Sequence, residues 1–348
     1  VLDNLGEMIM RMRSWFYSTL LLCFFLPVGA FALDQNPTNS FSHESGALVD
    51  LTDPVGDDKG PGYYQYPLDQ RLRRGAYDMV RFSATEEGEV ITFIIQMRNY
   101  ILTEWPDRRA SEEQGFVANL FDIYIDLDRR PDSGYKQALP GRQIDFADKM
   151  GWEKVILITP QSQSRVYDQL KDKTDELSFQ NQLEDIIIPD YVQIQRDKLI
   201  IHVKKELFGK NIDTKTWGFQ VFAMGYSPVV SVNQLFNRDV KGFATKNDFG
   251  GGWDTYGDPP IMDCLAPENQ SQYELLKKFR SEPYAGDIIR AKLPFLYPTS
   301  GKSTETTSGA DVQISVSPVA PLSPGVPSFA KPPVPAPVVL PRDNSPQI

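Results

Sequence analysis

Between Asp53 and Pro67 the chain reads DPVGDDKGPGYYQYP, with three acids, three glycines, three prolines and three tyrosines in fifteen positions. Asp53, Asp57 and Asp58 offer hard oxygen donors, and Gly56, Gly60 and Gly62 let the backbone approach an ion closely. Calcium takes six to eight such oxygens at about 2.3–2.6 Å and tolerates irregular geometry. A cation would offset the mutual repulsion of the acids and order a stretch that its prolines and glycines keep out of a helix. The spacing is not that of an EF-hand. A second acid-rich stretch, FDIYIDLDRRPDSG from Phe121, puts Asp122, Asp126 and Asp128 on one strand face, with Asp132 in the following turn. Alternate side chains on such a face lie about 7 Å apart, so one ion bridges Asp126 and Asp128 only where the strand end curls. The competing reading is plainer: Asp is a common turn residue that bonds its own backbone, and an acidic strand face can be solvated.

Other chemistries fit less well. A glycosidase needs two carboxyls flanking a sugar, one with a raised pKa, whereas acids bunched in one loop share charge and suit a cation better. The only histidines are His43 and His202, and no Gly-x-Ser-x-Gly elbow surrounds a serine. Zinc would need a His/Cys cluster, and haem would need axial ligands that are scarce here. His202 reads as a partly buried strand residue and Cys264 as a small buried apolar one. Loop aromatics are more plentiful: Tyr63, Tyr64 and Tyr66 after the acids, Trp105 before Pro106, and Trp253 and Tyr256 within FGGGWDTYGDPP. Their faces could stack on sugar rings while nearby polar groups bond hydroxyls. Trp152 and Trp217, at strand starts, read as core.

Strands must position these groups. Tyr77 to Ala84 and Val90 to Arg98 form a hairpin across Glu86-Glu87-Gly88, and Tyr191 to Gln195 and Leu199 to Val203 another across Arg196-Asp197-Lys198. Ala118 to Asp128 alternates, with Phe121, Ile123, Ile125 and Leu127 on one face and Asp122, Tyr124, Asp126 and Asp128 on the other. Lys154 to Thr159 is a continuous apolar run, and Trp217 to Met224 alternates again. Helical periodicity is weak over 166–183 and short over 271–280. Many short strands with Gly/Pro turns predict an all-β fold, a β-sandwich of antiparallel strands with few short helices.

The chain's 348 residues carry a formal charge of −10 and are 41% hydrophobic. That leaves material for a sizeable core and argues against nucleic acid, which needs a basic footprint. Residues 1–32 read as a signal peptide: Arg11 and Arg13, an apolar run from Trp15 to Pro27, then Ala30-Phe31-Ala32. The residues before Met10 do not resemble its charged region, which puts the expected start at Met8, Met10 or Met12. The apolar run is short of the about 20 residues a membrane span takes, so no stable span is expected after processing. Residues 33–45 read as a flexible leader, 46–297 as the sandwich, and 298–348 as a disordered tail, Ser/Thr-rich and then Pro-rich. Once Cys23 leaves with the signal, only Cys264 remains and no internal disulfide forms.

Five stretches come in an order that resembles one family: the acidic loop, GAYDMVRF from Gly75, FDIYID from Phe121, WGFQVFAMGY from Trp217 and FGGGWD from Phe249. The chain is similar, from Val49 to Tyr273, to the glucodextranase-type C-terminal binding domain, also found in amylopullulanases and related exported bacterial proteins. Two further stretches, PDSGYKQALPGR and ITPQSQSRV, resemble free-standing members without a catalytic domain. The resemblance implies a sandwich related to family-nine carbohydrate-binding modules and DOMON-like domains, with calcium in a structural role. It implies Asp53, Asp57 and Asp58 as loop ligands and adds Asp78 and Asp122. It also implies a partner that is a polysaccharide or cell-surface glycan, and a periplasmic or secreted location. No catalytic barrel or helical toroid accompanies the module, so the expected role is non-enzymatic. The alternatives are an envelope scaffold that binds envelope proteins and, ranked below it, a glucan-active enzyme.

Overall fold

A computed structural model describes residues 46–104, 113–172, 180–210, 212–231, 233–252, 258–281 and 288–298. The signal, the leader and nearly all of the tail expected from sequence lie outside these residues, as do Trp105, Trp253 and Tyr256. In chain order the strands are β1 (Ala47–Thr52), β2 (Met79–Glu87), β3 (Val90–Met97), β4 (Asn119–Asp126) and β5 (Ile144–Phe146). They continue with β6 (Lys154–Ile158), β7 (Ile186–Ile187), β8 (Val192–Gln195), β9 (Lys198–Lys204) and β10 (Gly218–Ser231). The last five are β11 (Gln234–Asn237), β12 (Ile261–Cys264), β13 (Arg280–Ser281), β14 (Ile288–Ile289) and β15 (Ala291–Leu293). Among the described residues the α-helices are α1 (Gln163–Asp172) and α2 (Gln272–Leu276).

Two sheets face each other. The five-stranded one runs β1-β2-β3-β9-β8; the six-stranded one runs β11-β10-β4-β6-β7, with β12 pairing β10. Most pairs are antiparallel; β6–β7 and β5–β15 are parallel. Both expected hairpins form, Glu87 opposite Val90 and Gln195 opposite Lys198. In β3 and β9 the period-2 pattern turns Ile91, Phe93, Ile95, Leu199, Ile201 and Val203 inward. They meet Phe121, Ile123, Ile125, Trp217 and Phe219 of the opposite layer, with the Phe82 and Phe219 rings 5.5 Å apart. His202 points the other way and is exposed, its Nδ1 2.9 Å from Thr92 Oγ1, so it is not partly buried as the sequence suggested.

The six-stranded sheet is covered on its second face as well. Tyr124, Phe222, Phe146 and Trp152 form a second core there with Val166 and Leu170 of α1 and Leu275 and Leu276 of α2. Every residue of β4 is therefore buried. The polar face expected on that strand is interior, which decides the role of Asp122 below. Ser271 caps α2 by accepting a hydrogen bond from the Tyr273 N–H. Among the described residues no helix is long and apolar enough to cross a membrane.

Candidate metal centre

Asp53 directly follows β1, and its N–H bonds Val80 O at 3.0 Å, so it leaves the sheet beside the start of β2. Asp78 directly precedes β2. Asp263 lies in β12, on the opposite sheet, and accepts the Met79 N–H on Oδ2 at 2.6 Å. That bond joins the two sheets at one end, where the acidic loop folds back over β12. The Gly60 N–H donates to Met262 O at 2.8 Å. Gly60 sits at φ +55°, and a Cβ there would lie 2.3 Å from the Tyr64 ring and 2.8 Å from Ile261 O, so only glycine fits. Gln272, the first residue of α2, accepts the Cys264 N–H at 2.8 Å and donates to Asp57 O, holding the loop from the other side.

Carboxylate oxygens of Asp53, Asp57 and Asp263 converge within 4.8 Å of one another. Asp58 and Asp78 flank them. Asp58 Oδ2 accepts the Tyr66 hydroxyl and the Gly75 N–H, and Asp78 Oδ2 accepts the Gly56 N–H at 2.8 Å. Arg98 approaches this group, at 3.3 Å from Asp78 and with a half-exposed side chain. Both oxygens of Asp53 and one each of Asp57, Asp58, Asp78 and Asp263 are buried with no hydrogen-bond partner among the described residues. Buried polar atoms are rarely left so, and a buried carboxylate without a partner must either take a proton or meet a cation. Burial, with Asp57 beside it, raises the Asp53 carboxyl to about 8. Burial, then the charges of Asp78 and Asp58, raises Asp57 to about 7. Asp263 is pushed well up by burial and by Asp53 and Asp57, and Asp78 is raised by burial and by Asp58. The donor set is all oxygen, with no nitrogen or sulfur ligand, and this suits a hard divalent cation of the calcium type. Asp53, Asp57 and Asp263 are the residues that could hold it.

Asp122 is not brought to this group. It lies in β4 with both oxygens on the Arg142 guanidinium, at 2.8 and 3.0 Å, and it also accepts the Tyr124 hydroxyl at 2.9 Å. Both members of the pair are fully buried. The expectation of Asp122 as a metal ligand is corrected accordingly: its charge is already matched. Asp126 gathers with Asp128 and Glu153 in a separate acidic group. There Asp126 accepts the Asp128 and Arg129 N–H groups and the Tyr297 hydroxyl, and Asp128 is bonded by Arg130 and Ser133. Among the described residues Glu153 Oε1, a buried oxygen of that group, has no hydrogen-bond partner.

The tyrosines after the acidic loop divide. Tyr64 is buried, with its hydroxyl on Pro259 O at 3.0 Å, and offers no face to a sugar. Tyr66 packs edge-on against Tyr77 and Phe249, and its hydroxyl bonds Asp58, so it braces the acid cluster. Tyr63 is 45% exposed and meets the Tyr64 ring edge-on at 5.4 Å.

Asp263 was missed in the sequence. A signal existed: a lone acid inside the apolar run IMDCL, where a charge has no reason to be buried unless something meets it.

Residues 48–289 match the family described as the C-terminal, SLH-like binding module of glucodextranase. No curated protein sequence matches the chain.

Proposed function

The chain belongs to the family of glucodextranase C-terminal binding modules, and from that premise we propose that it is an exported, non-catalytic glycan-binding domain whose loop end is ordered by calcium. The family is a binding module and not a catalytic domain. The observation that carries the calcium half is the convergence of Asp53, Asp57 and Asp263 with unpartnered buried oxygens. The cation is structural in this reading. It neutralises carboxylates drawn from both sheets and from the loop between β1 and β2, closing one end of the sandwich. The polysaccharide or cell-surface glycan then binds elsewhere on the surface, in the periplasm or outside the cell.

Thermal unfolding in calcium and in EGTA, with Asp57→Asn in parallel, tests the metal. A calcium-dependent rise in midpoint that the variant lacks supports it; identical midpoints overturn it. Retardation in gels carrying soluble polysaccharides tests the glycan.

A second reading, docking to envelope proteins, draws on one observation. Leu68 and Phe243 are 69% and 84% exposed on neighbouring loops, which are tied by the Leu68 N–H to Thr245 O bond. Isolated exposed apolar residues are common on soluble domains, so the glycan reading ranks first.

A further inference from the structure

Among the described residues, a cleft lies away from Tyr63, Tyr64 and Tyr66. Its walls are the segment after β3 and the segment that leads through β8 to the β8–β9 turn. The Ile101 N–H bonds Arg196 O at 2.8 Å, and the Met97 N–H bonds Asp197 O at 2.7 Å. Buried Gln114 fastens residues 189–192 to the segment at 113–115: its Oε1 accepts the Val192 N–H at 2.9 Å, and its Nε2 donates to Pro189 O and Asp190 O. The cleft between them has a volume of about 490 Å³ and is lined by Tyr100, Tyr191, Thr103, Glu113 and Arg196 among others. That volume is in the range of small-ligand sites. Gly115, at φ +76°, also lines it, and among the described residues no atom lies within 4 Å of where a Cβ would stand.

Three features point to a ligand. Tyr100 and Tyr191 are 73% and 61% exposed, so neither ring is packed into the core. Arg196 is the first of the two residues of the β8–β9 turn and has φ +59°, a position where two-residue hairpins favour glycine. A long side chain held in the left-handed region costs backbone energy, and such strain concentrates at binding sites. The Arg196 guanidinium makes no hydrogen bond or ion pair among the described residues. Among the described lining residues, Glu113 is the one acid and Arg196 the one base, so their charges balance.

We infer that this cleft is the glycan site, taking a neutral polysaccharide chain whose sugar faces lie on Tyr100 and Tyr191 and whose hydroxyls bond Arg196, Glu113 and Thr103. The inference rests on the glycan-binding reading above and adds its location and the charge class of the ligand. The one acid and one base among the described lining residues favour neither a polyanionic nor a polycationic polymer, and exposed tyrosines with a fork-shaped donor match the alternating apolar and hydroxylated surfaces of a sugar ring.

Affinity electrophoresis of the full chain in gels carrying dextran, pullulan or soluble starch tests it. Tyr100→Ala and Tyr191→Ala should each weaken retardation by about tenfold, as truncation of a contact aromatic does. Tyr63→Ala should leave it unchanged. Arg196→Gly separates binding from folding, because it relaxes the turn: its thermal midpoint should equal or exceed that of the parent while retardation falls. Retardation of the parent that the Tyr100→Ala/Tyr191→Ala double variant retains would overturn the cleft alone. A parent retarded by none of the three gels would overturn the cleft and the glycan reading together.

Discussion

Two of the aspartate groups withdrawn from water in this fold have opposite neighbours. Asp122 lies deep in the six-stranded sheet against Arg142, whose remaining N–H groups reach Pro140 O, Leu235 O and Asn237 Oδ1. Asp53, Asp57 and Asp263 lie where the two sheets meet at one end, surrounded by other carboxylates. Both arrangements remove charge from water, which is expensive. The first supplies the compensating charge from the chain itself; in the second Arg98 meets Asp78 alone, and the proposed calcium would supply the rest. A paired buried charge makes the fold sensitive to sequence; an unpaired one makes it sensitive to solution conditions.

The largest effect expected is on the paired side. Arg142→Met strands the Asp122 carboxylate and should cost about 3–5 kcal/mol in denaturant unfolding. Added calcium should not recover that loss; recovery would mean the two groups are not independent. Next comes the cation. At a thousand times its Kd, calcium should stabilise the parent by about 4 kcal/mol, seen as a midpoint rise of roughly 8–16 °C over EGTA. Asp57→Asn and Asp263→Asn should abolish the rise, and Asp122→Asn should not.

A smaller effect should appear in pH titrations of the chelated protein. The folded form keeps protons on Asp57 and Asp53 up to about 7 and about 8, whereas an unfolded aspartate releases its proton near 3.9. The folded state therefore binds more protons across that window, so metal-free stability should fall as pH rises from about 4 to about 8. Calcium competes with the same protons, and its affinity should rise over the same interval. A flat metal-free profile would show that the acids are solvated. The smallest effect belongs to the third group of acids. Asp126 and Asp128 have their oxygens met by N–H and hydroxyl donors, so Asp126→Asn should leave the calcium-dependent midpoint shift unchanged. Loss of that shift would make this group a second cation site.

Much of the fold was legible before any coordinates. β-Rich runs marked the strands of both hairpins, and Glu86-Glu87-Gly88 and Arg196-Asp197-Lys198 marked their turns. Alternation in β4 was equally clear and misleading. It says that two faces differ, not that one of them is wet, and here Tyr124 and Asp122 face a second apolar layer. The tyrosines next to the acids invited a sugar platform by proximity in sequence, yet the Tyr64 hydroxyl donates to Pro259 O and the Tyr66 hydroxyl to Asp58.

By itself the sequence determined the strand-rich class, the acidic loop and its inability to be a helix, because backbone propensity and hydrophobic period are local properties. Only the tertiary structure decided which acids share a site. Asp263 reaches Asp53 because β12 and β2 meet end to end across the sandwich, and Asp122 is withdrawn because Arg142 folds under the sheet. Charge compensation acts over a few ångströms of space whatever the separation along the chain, so spacing in sequence carries little information about it.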